Sequence, residues 1–314
     1  MDLMGSGSPL LWGVFAAIIV AGLVVDLGAF RKDTGISTTR ALRWTFVWIA
    51  IALGFAGWIW HMLGPETATL FVTGYVIEYA LSVDNLFVFI LVFGYFKVAS
   101  DVQHRVLFWG ILSAAILRGI LIFVGAALIQ QYHWVLYLFG AFLLYTSFSL
   151  IFSSKDGEDV DPGKNPVLRI LRTLMPITED YHGHFFFVRL DGKLRATPLL
   201  AVLLVLETTD VFFALDSVPA IFAVTTDPFV VFTSNIFAIL GLRSLYFALA
   251  AMMGKFRFLH YGVAVVLLFV SIKMLLADFY DVSTVWSLAA IAGILVISVI
   301  ASVLRPESPA DPTA

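Results

Sequence analysis

Nine mostly apolar runs of roughly 20 residues or more follow one another along the chain, the length that a hydrocarbon core of about 30 Å demands of a helix. They cover 9–30, 43–63, 69–95, 106–130, 134–153, 197–224, 229–252, 259–277 and 283–304. In lipid a segment must satisfy its own backbone, so runs of this length become helices. With 61% apolar and only 13% charged side chains, too little polar surface remains to coat a water-soluble fold. The expectation is an all-α membrane protein of about nine transmembrane helices, with 1–314 as a single transmembrane domain in contact with lipid. The first run is preceded by no Lys or Arg and followed by no small-residue cleavage site, so it is expected to remain a span. Absence of cysteine excludes disulfides, thiolate metal sites and cysteine nucleophiles. Nothing in the pattern points to a nucleic-acid partner, and oligomeric state is not legible.

Basic residues set the expected orientation. With the N-terminus outside, 16 of the 19 Lys and Arg residues fall in inner connections or the inner tail, and the other three, Arg118, Arg243 and Lys273, lie within spans. The layout is therefore N-out and C-in. An internal repeat is also visible. Span 3 aligns with span 6, pairing Glu78 with Asp210, Asp84 with Asp216 and Asn85 with Ser217. Span 4 aligns with span 7, pairing Arg118 with Arg243, and span 5 with span 8, pairing Tyr137 with Tyr261. Three spans per copy is an odd number, so the second copy (197–277) is expected upside down relative to the first (69–153). Inverted repeats of this kind build secondary transporters whose site lies near the midplane.

Five carboxylates occupy that depth. Glu78 and Asp84 lie in span 3, and Glu207, Asp210 and Asp216 in span 6, all within about 10 Å of the span midpoints. A charge at the bilayer centre costs about 2.5–3.5 kcal/mol on insertion scales, so such residues face a cavity, a cation or each other. Positions seven apart share a helix face, which groups Glu78 with Asn85 and Asp210 with Ser217, with Glu207 about 60° from Asp210. Asp84 and Asp216 point away on a regular helix. Pro219 is expected to interrupt the helix and turn Asp216 inward.

The donors available here are carboxylates, the amides of Asn85 and Asn235, and the hydroxyls of Ser82, Thr208, Thr209 and Ser217. Such hard oxygen sets suit Mn²⁺, Mg²⁺ or Ca²⁺ better than Zn²⁺ or Cu⁺. Carboxylates in excess of ligand needs could carry protons in exchange. The competing reading is structural, with the carboxylates ion-paired to Arg118 and Arg243 as buried glue. No nucleophile–base pair or HExxH pattern suggests an enzyme, and no resident cofactor is expected. In the inner loop 154–196, the acidic run after Lys155 lacks EF-hand spacing, NPVLRILRTLMP reads as an amphipathic helix, and FFFVRLDGKLRAT reads as a hairpin turning at Asp191-Gly192. The tail 305–314 is expected to be disordered.

EYALSVDNLFVF (78–89 from its Glu), followed by ETTDVFFALDSVPAIFAVTTDPFVVFTSNIFAILGLR (207–243), resembles the TerC/Alx family of bacterial integral membrane proteins, as does HFFFVR in the loop. The resemblance covers nearly the whole chain. It implies Mn²⁺ homeostasis, chiefly efflux across a bacterial inner membrane, with metal-handling roles for Glu78, Asp84, Asn85, Glu207, Asp210, Asp216 and Asn235. Arg118, Arg243, Ser217 and Pro219 would then be supporting residues. The expected function is a secondary transporter exporting Mn²⁺, with Mg²⁺ or Ca²⁺ as further candidates, in exchange for protons. The alternative is a non-transporting membrane scaffold that assists insertion or metal loading of other proteins, as some members of the family suggest.

Overall fold

The computed structural model describes residues 5–29, 38–152, 166–190, 192–250, 258–280 and 282–304. In chain order their elements are α1 (Pro9–Ala29), α2 (Thr38–Leu63), α3 (Pro65–Tyr95), α4 (Ser100–Gln131), α5 (Val135–Phe152), α6 (Pro166–Leu174), β1 (Phe187–Leu190), β2 (Lys193–Ala196), α7 (Pro198–Phe222), α8 (Pro228–Leu240), α9 (Leu242–Ala250), α10 (Leu259–Leu275) and α11 (Thr284–Leu304). Proline punctuates the starts. Pro65, Pro198 and Pro228 each open a helix at a position whose N–H would be unpaired anyway. Asp227 caps α8, accepting from the backbone N–H of Phe229 at 2.9 Å and of Val230 at 3.4 Å.

Six helices, α2, α3, α4, α5, α7 and α11, are long and apolar enough to cross a membrane. α8 and α9 make a seventh span if a chain bent by 40° between them is taken as one. α1 and α10 are apolar as well, over Pro9–Val25 and Tyr261–Leu275, but these stretches fall short of 18 residues. Among the described residues the nine apolar runs thus correspond to six helices of spanning length, the bent pair α8 and α9, and the apolar helices α1 and α10.

α3 forms the axis of the assembly. It packs against α2, α7, α8, α9, α10 and α11, and 69% of its apolar window is buried against 22–39% for the other five spanning helices. The remaining principal pairings are α4 with α7 and α5 with α10. This arrangement has an exchange symmetry. Swapping α3, α4 and α5 for α7, α8 and α10 turns the α3–α8 contact into the α7–α4 contact and leaves α5–α10 and α3–α7 unchanged. Close approach is secured by glycine. A Cβ on Gly74 of α3 would lie 2.8 Å from Ser234 Oγ and 3.4 Å from Ile221 Cγ2, and one on Gly140 of α5 would lie 3.0 Å from Leu275 Cδ2.

Pro219 does not interrupt its helix. α7 runs unbroken through it to Phe222, because Ser217 to Phe222 are all buried and their packing holds the turn that has lost one backbone bond. The break falls instead at Gly241, between α8 and α9. Outside the membrane helices, β1 and β2 form the expected hairpin, in the register Phe187–Ala196 through Leu190–Lys193, and Gly192 takes the positive φ of +73° that its turn requires. α6 forms over the expected amphipathic stretch and buries Leu168 and Leu171. Tyr181 Oη donates to Phe96 O at 2.8 Å, tying this region to the end of α3. Burial holds the Tyr181 phenol above its ordinary range, so the donor stays protonated at neutral and mildly alkaline pH. The acidic run after Lys155, the side chain of Asp191 and the tail 305–314 lie outside the described residues.

Gly74→Leu is expected to force α3 away from α7 and α8 at a cost of about 1–3 kcal/mol. The check is the thermal midpoint of the purified protein in detergent, followed by tryptophan fluorescence. Gly54→Ala, where an added Cβ meets nothing within 4 Å, should leave that midpoint unchanged or higher.

Candidate functional site

Glu78 on α3 and Asp210 on α7 face one another across the centre of the bundle, at 0% and 4% exposure. Between them stands Arg118 of α4, also at 0% exposure. Its guanidinium grips Asp210 in a fork, Nη2 donating to Oδ1 at 3.0 Å and Nε to Oδ2 at 3.4 Å. Nη1 pairs with Glu78 Oε1 and donates to Ser217 Oγ at 3.4 Å. Glu78 is held from two further directions: Ser82 Oγ donates to Oε1 at 3.1 Å, and Asn235 Nδ2 of α8 donates to Oε2 at 2.9 Å. Two carboxylates share one guanidinium, so the buried cluster holds one more acidic than basic side chain.

The helix spacing explains how these side chains meet. Asp210 and Ser217, seven residues apart on α7, both reach Arg118, as their shared face predicts. Glu78 and Asn85 are likewise both buried on α3. Asn85 Nδ2 and Asn235 Oδ1 are enclosed yet have no hydrogen-bond partner among the described residues. Arg243, aligned with Arg118 in the sequence, is buried two residues beyond the bend at Gly241. Nothing is described of the Asp84 side chain, so that candidate lies outside the described residues.

The other two carboxylates stand apart from the cluster. Glu207 turns to α4, where its Oε1 accepts from Ser113 Oγ, and its Oε2 is buried without a partner among the described residues. It borders a groove of about 480 Å³ between α4 and α7, walled by Trp109, Leu112, Ile116, Leu117, Leu203 and Leu204. Asp216 points to α5 and accepts from Thr146 Oγ1 at 3.0 Å, away from Arg118, because α7 continues through Pro219 instead of turning there. Of the four carboxylates whose side chains are described, Glu78 and Asp210 thus share Arg118 while Glu207 and Asp216 each bond a hydroxyl on another helix, and among the described residues no three His, Asp or Glu side chains converge as a metal-ligand set. Ser113 and Thr146 are the partners that sequence reasoning missed. Lone hydroxyls in apolar helices usually bond back to their own turn, as Ser113 also does to Trp109 O, and spacing gives no sign of a second role.

A helical bundle with acidic and basic side chains buried at its centre and an apolar exterior defines the class, an integral membrane protein. The match to a known family narrows it: the model of the integral membrane protein TerC family covers residues 63–309, and the chain belongs to that family. It is 48% identical over 310 residues to an uncharacterized membrane protein, STKORF319, from Myxococcus xanthus, covering 97% of each chain. It is 45% identical over 304 residues, 94% of each chain, to a protein of Escherichia coli strain K12 provisionally named membrane-bound redox modulator Alx. An uncharacterized membrane protein of Rickettsia bellii is 35% identical over 295 residues, 94% of this chain and 97% of its own length. No solved structure matches the chain.

Arg118→Met is expected to destabilise the protein by about 3–5 kcal/mol, since it strands two buried carboxylates without a counter-charge. Adding Glu78→Gln and Asp210→Asn to that variant should recover most of the loss. Unfolding in mixed detergent micelles checks both statements.

Proposed function

We propose that this chain is a secondary transporter that exports a divalent cation, Mn²⁺ first among candidates, from the cytoplasm across the bacterial inner membrane. The observation that carries the reading is the pair of buried carboxylates, Glu78 and Asp210, sharing one arginine on a separate helix. Arg118 acts as a tethered stand-in for the cargo. A dication entering between Glu78 and Asp210 takes over the counter-charge that the guanidinium supplies, and the guanidinium swings aside while retaining Ser217 as an acceptor. Asn85, Asn235 and Ser82 complete a hard-donor shell, to which Asp84 is assigned as well. Mg²⁺ and Ca²⁺ are the expected competitors.

Glu207 and Asp216 take the proton-carrying part. Each has a hydroxyl partner rather than a cation, a setting that suits a group alternating between neutral and ionised states as the cargo's charge moves. The exchange-symmetric pairing of α3, α4 and α5 with α7, α8 and α10 supports two inverted repeats rocking about the cluster. The concentration of Lys and Arg in alternate connections supports the N-out, C-in layout of nine spans, with α1 and α10 completing the count. The redox name carried by relatives fits this reading at one remove. The chain has no cysteine, so a redox effect would not pass through a thiol of its own, and moving a redox-active metal ion needs none.

The test is Mn²⁺ flux into proteoliposomes containing the purified protein, with a pH-sensitive dye inside. Flux is expected in the parent and a loss of at least about tenfold in Asp210→Asn and in Glu78→Gln, the scale of removing one essential charged contact. A folded parent that moves no Mn²⁺ under either pH gradient overturns the transporter, and stable partner proteins on a carboxylate-independent function would then favour the scaffold.

A further inference from the structure

Tyr75, Glu78, Ser82 and Asn85 follow at intervals of three and four residues, and Tyr79 lies four after Tyr75 and three before Ser82, so the five form one broad stripe along α3 that extends for about 15 Å. A stripe of this polarity on the most enclosed helix of a membrane protein is unusual, and most of it is shut away: Tyr75, Glu78, Ser82 and Asn85 are each no more than 6% exposed. The charge cluster satisfies Glu78 and Ser82. The rest is not satisfied. Tyr75 Oη, Tyr79 Oη and Asn85 Nδ2 are buried without a hydrogen-bond partner among the described residues, and so are Trp48 Nε1 of α2 and Asn235 Oδ1 of α8. These donors and acceptors sit at neighbouring points. The rings of Tyr75 and Tyr79 are 5.6 Å apart, and a Cβ on Gly241 would lie 3.6 Å from both Trp48 Cβ and Tyr79 Cε2.

Buried polar groups in native proteins are nearly always paired, with protein or with ordered water. In a membrane, groups that lack a protein partner line aqueous cavities. We propose that this stripe, faced by Trp48 and Asn235, is a hydrated conduit along which the cation reaches Glu78. Glu78 belongs to the stripe and also pairs with Arg118, so the conduit delivers cargo to the face of the carboxylate that Asn235 orients. The opposite wall is the bend of 40° at Gly241, where α8 gives way to α9, and an interrupted helix is the element that can shift to open or close such a path. The cargo's identity rests on the transporter reading; the water in the stripe does not.

The protein has no cysteine, so a single introduced thiol reports on its own position in an otherwise native chain. Tyr75→Cys, Tyr79→Cys and Asn85→Cys are compared with Ile77→Cys and Ala80→Cys, buried positions of the same helix away from the stripe. The full-length protein in liposomes is treated with a small cationic methanethiosulfonate, which reacts with thiolate and hence only where water reaches. Rates at the stripe are expected to exceed those at the two controls by about tenfold or more, and to fall when Mn²⁺ is added. Equal rates at both sets, fast or slow, overturn the conduit. Ser82→Cys, which exchanges one atom, carries the same comparison if the tyrosine variants do not elute as folded protein. Mn²⁺ flux is measured in parallel. Reactive stripe positions in a protein without flux retain the hydrated path and remove the transporter, whereas flux with an unreactive stripe removes the path alone.

Discussion

Arg118 is the contact on which the arrangement of the bundle depends. It is fully buried, it comes from α4, and it reaches Glu78 on α3 and both Asp210 and Ser217 on α7. Apolar helices in lipid have little hydrophobic reason to prefer one register over another, because the tails are as apolar as leucine. A guanidinium with five donors in a fixed plane does have a preference. It fixes the depth of three helices relative to one another, and Asn235, bonded to Glu78, brings α8 into the same register. Stability is not what such a cluster supplies. Desolvating three ions costs more than well-packed apolar residues would, so the cluster is maintained for specificity or for function.

Local chemistry was legible in the sequence, and chemistry between helices was not. The apolar runs, the Asp191-Gly192 hairpin and the amphipathic helix from Pro166 each follow from residues that lie close together in the chain. Seven-residue spacing placed Asp210 and Ser217 on one face, and they do share Arg118. The failures all involve a second helix. Pro219 was expected to break α7, but the burial of Ser217 to Phe222 outweighs one missing backbone bond, and the break appears at Gly241 where no proline signals it. Ser113 and Thr146 became visible as partners only once α4 and α5 were placed beside α7. Arg118 read as a supporting charge because its two carboxylates lie 40 and 92 positions away in sequence.

The separation of the carboxylates is informative about what each can do. Glu78 and Asp210 share the Arg118 guanidinium, and Glu78 accepts from Ser82 and Asn235 as well. Glu207 and Asp216 have one hydroxyl each. On the transporter reading, groups with such different surroundings would divide the work, the pair on Arg118 meeting the cargo and the two hydroxyl-bonded carboxylates carrying protons.

The alternatives part company over cost. A scaffold can be built from apolar helices and surface contacts alone, and its core would gain stability if Glu78, Arg118 and Asp210 were replaced by residues of similar volume. A transporter cannot make that exchange. Its cargo must find negative charge at the centre of the membrane, that charge must be tolerable when the cargo is absent, and the two demands together call for carboxylates with a removable internal cation. On that reading Arg118 meets the second demand from a separate helix, joined to Asp210 of α7 by contacts at 3.0 Å and 3.4 Å. On the transporter reading, with α3–α5 and α7, α8 and α10 as two moving halves, the α4–α7 junction lies between those halves, where a removable counter-charge would have to be.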